Sequence, residues 1–296
     1  MAKTSKSIKS VTLAYFSGTG GSKMAADCFE SQLTAREIKV HKIKVSKGRK
    51  SNPESSDLLI VLAPVYAFRL AEIVEHWIQN MDKTFQKPAA VISVSGGGEM
   101  SPNTACREPV KRLLSKKGYR VIYEEMLVMP SNYGTPTPQV LADKLLTILP
   151  RKVNLVIMDI LDGKQNITTP KKQDRIFTSL GKMEHIGAKF FGASIHASDH
   201  CSHCGICVKN CPQKNIHLHN GIPKFGFACI WCMKCIYACP SKALSPRILK
   251  SVILKNGYNL KEMYKKVNKE APSVQHENFE KKLWKGVINY LDNTKK

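Results

Sequence analysis

The 296-residue sequence predicts an α/β protein: a doubly wound parallel sheet over residues 8–150, followed by a small α+β unit over residues 193–245. Three observations carry that expectation. Apolar, β-rich segments alternate with helical ones through the first half, which implies a parallel sheet with helices on both faces. The first such segment runs at once into Ser17-Gly18-Thr19-Gly20-Gly21-Ser22 and then into a helix. Eight of the ten cysteines fall within residues 201–240, in two copies of one spacing.

Taken in order, residues 11–16 form a buried strand and residues 23–33 a helix. Between them, Ser17, Gly18, Thr19, Gly20, Gly21 and Ser22 make a phosphate cradle. Glycines let backbone N–H groups approach an anion, the helix N-terminus supplies positive potential, and hydroxyls donate to phosphate oxygens. The loop has neither G-x-G-x-x-G nor a Gly-Lys-Ser/Thr ending, so it suits a short phosphomonoester rather than a dinucleotide or a nucleoside triphosphate. A plain βα turn is the alternative for the loop taken alone. Strands are expected at 40–45, 57–63, 89–95 and 119–127, and helices at 71–79, 102–117 and 138–149.

In such sheets ligands sit beyond the carboxyl ends of the strands. Two further loops lie there: Pro64, Val65, Tyr66, Ala67, Phe68 and Arg69, then Ser95, Gly96, Gly97, Gly98 and Glu99. Tyr66 could stack on a flat ring, and the triple glycine lets backbone amides approach a ring's polar edge. Core or interface packing is the other reading of Tyr66 and Phe68. Met129, Pro130, Ser131, Asn132 and Tyr133 form a fourth, lower-ranked loop.

Residues 151–192 read as a helical connector. Residues 153–160 suit a strand or short helix, and 166–172 have turn character. Ile176, Leu180, Met183, Ile186 and Phe190 recur at helical spacing, which predicts a helix over 174–191. Residues 193–197 are expected to form a small strand. Residues 246–296 form a basic extension, with 13 Lys and Arg against 5 Asp and Glu from 241 onward. Residues 260–267 and 279–291 look amphipathic, with Leu283, Trp284, Val287, Ile288 and Leu291 on or near one face. They either pack on the rest of the protein or offer a docking surface to an acidic partner or membrane.

The cysteines are Cys201, Cys204, Cys207 and Cys211, then Cys229, Cys232, Cys235 and Cys239, each run spelling C-x2-C-x2-C-x3-C-P. Paired zinc knuckles need no third cysteine two residues on. A disulfide framework suits a short secreted chain, of which there is no sign. The pattern resembles that of bacterial two-cluster ferredoxins, in which the fourth cysteine of each run ligates the other run's cluster. The resemblance implies two [4Fe-4S] clusters, one on Cys201, Cys204, Cys207 and Cys239, the other on Cys211, Cys229, Cys232 and Cys235. Lys209, Lys214, Lys224 and Lys234 lie in this stretch with no Asp or Glu, a basic shell suited to clusters of about −2 each. Cys28 and Cys106 lack ligand spacing and read as inert thiols.

Residues 8–150 resemble a flavodoxin-like FMN domain, whose phosphate loop is commonly [S/T]-x-T-G-N-[S/T]. Ser17, Thr19, Gly20 and Ser22 match, and Gly21 replaces the usual asparagine. The whole resembles an anaerobe family that fuses a flavodoxin-like domain to a two-cluster ferredoxin. That resemblance implies FMN at Ser17–Ser22, Pro64–Ala67 and Ser95–Gly98, and an electron-transfer flavo-iron-sulfur role. Two other readings stand beside it: a flavin-dependent reductase wired internally by the clusters, and an iron–sulfur sensor or scaffold without flavin. No paired-carboxylate or Ser-His-Asp pattern stands out, so no catalytic residue is assigned.

The formal net charge is +23; clusters and a flavin phosphate would lower it to about +17. The lysines are scattered without interleaved aromatics, which disfavours nucleic acid as the partner. An acidic redox protein, such as a ferredoxin, flavodoxin or reductase, is the preferred partner, and an anionic membrane surface the third option. No run reaches the ~18–20 apolar residues of a membrane span, and no secretory h-region is seen. Reduced thiolates imply a reducing compartment, the cytoplasm of an anaerobe.

Overall fold

A computed structural model describes residues 8–48, 53, 56–268 and 283–293. The first half comprises β1 (Ser10–Tyr15), α1 (Gly21–Thr34), β2 (Lys39–Lys44), β3 (Leu58–Tyr66), β4 (Arg69–Leu70), α2 (Glu72–Gln79), β5 (Lys87–Ser95), α3 (Glu108–Lys116), β6 (Tyr119–Val128) and α4 (Gln139–Leu161). The main sheet runs β2-β1-β3-β5-β6 with every pairing parallel, and β4 folds back on the end of β3 as an antiparallel hairpin. With β4 set aside, this is the flavodoxin-like order 2-1-3-4-5, whose switch point opens a crevice at the carboxyl ends of β1 and β3.

Alternation along each strand sends residues to two separate cores. Leu13 and Tyr15 face the layer of α1 and α4, against Phe29, Leu33, Leu149 and Val153. Ala14 and Phe16 face the layer of α2 and α3, against Val74, Trp77, Ile78 and Leu114. Both faces of the sheet are therefore covered, which explains why β3 is almost continuously apolar.

The helix expected to end near residue 149 continues as α4 to Leu161, so residues 153–160 are its last turns and position 150 lies inside a helix. Pro150 removes one helical donor, at a cost of about 3 kcal/mol. Val153, Val156, Ile157 and Ile160 beyond it are all buried, each contributing about 1.5–3 kcal/mol, so continuation wins. Gln32 Nε2 donates to the Pro150 carbonyl at 2.8 Å.

α5 (Lys172–Ala193) forms as the spacing predicts, but with the opposite face inward. Asp174, Thr178, Gly181, Ala188 and Phe191 are buried, while Ile176, Leu180, Met183, Ile186 and Phe190 are exposed. Asp174 accepts from the Ser101 and Thr104 hydroxyls. Burial opposes its charge, but these hydrogen bonds hold its carboxyl below the usual range. Gly181 meets the Ala67 carbonyl so closely that no Cβ fits between them. Polar anchoring and close backbone approach thus set the helix's rotation.

The second unit contains β7 (Ile195–Ala197), α6 (Ile206–Asn210), β8 (Ile216–His219), β9 (Ile222–Phe225), α7 (Lys234–Tyr237) and β10 (Leu244–Pro246). β7 pairs antiparallel with β10, and β8 with β9. The sequence duplication is a structural one: left-handed residues recur as His203 and Trp231, Gly205 and Met233, Lys214 and Lys242. Each pair falls at matching positions of the two cysteine runs.

The basic extension packs down. α8 (Leu260–Lys265) is capped by Asn259, whose side chain accepts from Glu262 N at 3.2 Å, and Leu260 joins the first core. α9 (Lys285–Asn293) buries Val287, Tyr290 and Leu291, together with Trp284, against Val128, Leu141 and Leu145. Residues 279–282 of the expected helix lie outside the described residues.

Candidate cofactor and cluster site

The cradle forms where β1 ends and the 14-residue α1 begins. Gly20 at φ 114° caps the helix in a conformation that side chains rarely adopt. Gly20 N donates to Ser17 Oγ at 3.2 Å, and Asn132 Nδ2 donates to Thr19 Oγ1 at 2.7 Å. No acidic residue lies in the first turn, so nothing offsets the positive end of the helix. A cavity of about 60 Å³ lies here, lined by Ser17, Gly18, Thr19, Gly21, Ser22, Pro64, Val65, Tyr66, Ser95, Gly96 and the 129–132 loop. Hydroxyls, backbone amides and a free helix end fit the phosphate of FMN.

Not every predicted residue joins it. Ala67 and Phe68, both at positive φ, are the two-residue turn of the β3–β4 hairpin, the primed geometry such turns favour. The Phe68 carbonyl accepts from Thr178 Oγ1 at 3.1 Å and its ring meets Phe177, so this tip faces α5. Arg69 is buried in a bidentate pair with Glu75, at 2.8 and 2.9 Å. Glu99 pairs with the buried Arg107.

Gly97 and Gly98 serve packing. A Cβ on Gly98 would lie 2.5 Å from the Gly286 carbonyl oxygen, and one on Gly286 would lie 2.1 Å from the Gly97 carbonyl oxygen. The triple glycine thus lets α9 dock, and of the three only Gly96 reaches the cavity. Gly286→Ala is expected to cost about 1–3 kcal/mol by overpacking, lowering the Tm by roughly 2–4 °C per kcal/mol in thermal denaturation. An unchanged Tm would mean that α9 does not seat on this loop.

Tyr258 was not singled out by the sequence, because it sits alone in a lysine-rich stretch. It lines the cradle cavity and donates to the Pro130 carbonyl at 3.0 Å. Its neighbour Tyr237 donates to the Asn132 carbonyl at 2.8 Å. These two rings, 5.9 Å apart, tie the second unit and the basic extension to the 129–133 loop.

The cysteines line two cavities. One is walled by Cys201, Cys204, Cys207 and Cys239 with Ile206, Leu218, Pro223 and Leu244. The other is walled by Cys211, Cys229, Cys232 and Cys235 with Phe191, Ile195, Ile216 and Ile236. Among the described residues no three His, Cys, Asp or Glu side chains converge on a point that could hold one metal ion. Sulfurs spread around a cavity suit a polynuclear cubane. The left-handed residues between the cysteines turn backbone amides toward the sulfurs, as in anion-binding nests. Trp231 N lies 3.4 Å from Cys229 Sγ and Asn215 N 3.3 Å from Cys211 Sγ.

The two quartets differ in burial. Cys204 is exposed, and hydrogen bonds from the Ile206 backbone and Ser202 lower its thiol pKa. Cys232 is 7% exposed. Burial pushes the Cys229 thiol up to about 11 and Cys232 to about 12, so this pocket favours the neutral thiol over the bare thiolate. The inner quartet, through the buried Cys232, adjoins the cradle. A Cβ on Gly18 would lie 2.5 Å from the Tyr66 hydroxyl and 2.6 Å from the Cys232 carbonyl oxygen. Tyr66 meets Phe16 edge-on at 6.4 Å, and burial, reinforced by the adjacent Cys232 and Cys229, pushes its hydroxyl well up.

Residues 194–240 match the family model of the 4Fe-4S dicluster domain. No curated protein matches the sequence. Solved structures similar to the first half include a flavodoxin from the domain Archaea, with 11% identity, TM-score 0.37, and coverage of 52% of this chain and 96% of that one. A flavodoxin of Streptococcus pneumoniae TIGR4 shows 13% identity, TM-score 0.37, and coverage of 51% and 99%. Oxidised flavodoxin 2 from Bacillus cereus shows 18%, 0.33, 39% and 84%. The fold assignment rests on the strand order.

Proposed function

We propose that this chain, a flavodoxin-like unit joined to a 4Fe-4S dicluster segment, is an electron-transfer protein with one FMN site and two [4Fe-4S] sites. One observation carries the reading: two separate cavities, each walled by one crossed cysteine quartet, the inner of which touches the phosphate cradle. When bound, FMN exchanges one or two electrons and each cluster one, so together they bridge two-electron and one-electron chemistry.

The chain's own residues hold and shield these sites. Ser17, Thr19 and Ser22 with the Gly18–Gly21 amides would hold the phosphate. Phe191, Ile195 and Ile236 keep water from the inner quartet. Lys234, half-buried beside Cys232 and Cys211, has its pKa lowered chiefly by burial and next by Lys44, while those two sulfurs act the other way and favour its charge. The outer quartet, through the exposed Cys204, would meet an acidic redox partner in a reducing cytoplasm. No helix among the described residues is long and apolar enough to cross a membrane.

Anaerobic purification with iron, sulfide and flavin quantitation tests this. About eight irons, eight sulfides and one FMN per chain are expected. Zinc, or roughly half that iron, would overturn the two-cluster reading. Protein that takes up iron but not added FMN would leave a flavin-free iron–sulfur protein instead.

A further inference from the structure

Among the described residues, none packs over the outward face of α5. Ile176, Leu180, Met183 and Phe190 lie at i, i+4, i+7 and i+14, a single stripe on the helix surface. They are 63%, 50%, 66% and 57% exposed. The stripe runs on beyond the helix, because the Phe190 ring meets that of Phe227, itself 62% exposed, at 6.0 Å. Single exposed apolar residues are ordinary, but a contiguous row marks an interaction surface.

Charge selects the occupant. Residues 171–193 contain five Lys and Arg against two acidic residues, and one of the two, Asp174, is turned inward and hydrogen-bonded. Lys171 and Lys172 are exposed at the start of the helix, and Arg175 and Lys189 along one edge of the stripe. A second copy of the chain would bring the same basic edge and the same +23 formal charge against itself. A lipid surface bearing negative charge complements both the row and its edge. A 22-residue helix with Phe, Ile, Leu and Met on one face and Lys and Arg beside them is the pattern of an in-plane interfacial helix.

We propose that α5 and Phe227 form a peripheral docking surface for an anionic lipid bilayer, with the apolar row in the headgroup–acyl boundary and Arg175, Lys189, Lys171 and Lys172 on anionic headgroups. Phe227 is two residues from Cys229, so docking brings the wall of the inner quartet to the bilayer surface. The stripe does not depend on the cofactors, and the inference stands apart from the electron-transfer reading.

Sucrose-gradient flotation of the anaerobically purified full chain tests it. Vesicles of phosphatidylcholine with about one-third phosphatidylglycerol should carry the protein upward at low salt, and pure phosphatidylcholine about tenfold less. The double variant Leu180→Glu, Met183→Glu should lose about tenfold or more of that binding with iron content and Tm unchanged. Arg175→Gln with Lys189→Gln should weaken binding to the anionic vesicles and flatten its salt dependence. The proposal is overturned if the parent does not float with anionic vesicles, or if the double glutamate variant floats as well as the parent. It is equally overturned if the stripe instead mediates a concentration-dependent dimer, seen by sedimentation, that the same variant abolishes while vesicles stay unbound.

Discussion

Serine in place of Cys211 is expected to empty the inner site, and serine in place of Cys239 the outer one, each removing about four of the eight irons. The expectation runs against sequence order, since Cys211 closes the first run and Cys239 the second. It follows from the cavities: Cys211 shares its walls with Cys229, Cys232 and Cys235, and Cys239 with Cys201, Cys204 and Cys207. Burial tells the two apart in solution. In Cys211→Ser the surviving cluster would be the outer one, beside the exposed Cys204, and a hydrophilic chelator should strip it quickly. In Cys239→Ser the survivor lies behind Phe191 and Ile236 and should resist. Iron release followed by absorbance under chelator gives the answer. The reverse order of lability would show that each run holds its own cluster.

Gly18→Ala should weaken FMN binding by about ten- to a hundredfold and disturb the inner site in the same variant. A methyl group there would stand 2.5 Å from the Tyr66 hydroxyl and 2.6 Å from the Cys232 carbonyl oxygen. Neither neighbour can yield cheaply, because one is backbone and the other a ring held against Phe16. Overpacking of this kind costs about 1–3 kcal/mol, and each 1.4 kcal/mol is about tenfold in affinity. Gly21→Ala is the matched control for the inner site: its Cβ would meet Met129 at 3.6 Å, an ordinary contact, and should leave the iron content unchanged. FMN fluorescence titration and iron content are the two readouts. If Gly18→Ala bound FMN and iron like the parent, the cradle and the inner quartet would not be in contact.

Much of this site could be read before any coordinates. The crossed quartets are what the resemblance to two-cluster ferredoxins implies, and the cysteines line two cavities in that same grouping. The βα alternation with its hydroxyl-rich glycine turn placed the anion cradle at the end of β1. The glycine loop at 96–98, uniform in sequence, divides in the structure: Gly96 lines the cavity, while Gly97 and Gly98 admit α9 through Gly286. Nothing local distinguishes these glycines, since the partner that needs the space lies nearly 190 positions further along the chain. Tyr258 was invisible for the same reason.

Local chemistry therefore pointed to the proposed ligand sets and cradle and to the parallel sheet, because ligand spacing, turn composition and strand periodicity are properties of neighbouring residues. Depth and orientation were left to tertiary contacts. The inner or outer character of each quartet depends on which one lands beneath the 17–22 loop. The rotation of α5 depends on Asp174 and Gly181 finding Ser101, Thr104 and the Ala67 carbonyl, and those contacts turned an apolar stripe, which periodicity alone would send inward, toward solvent.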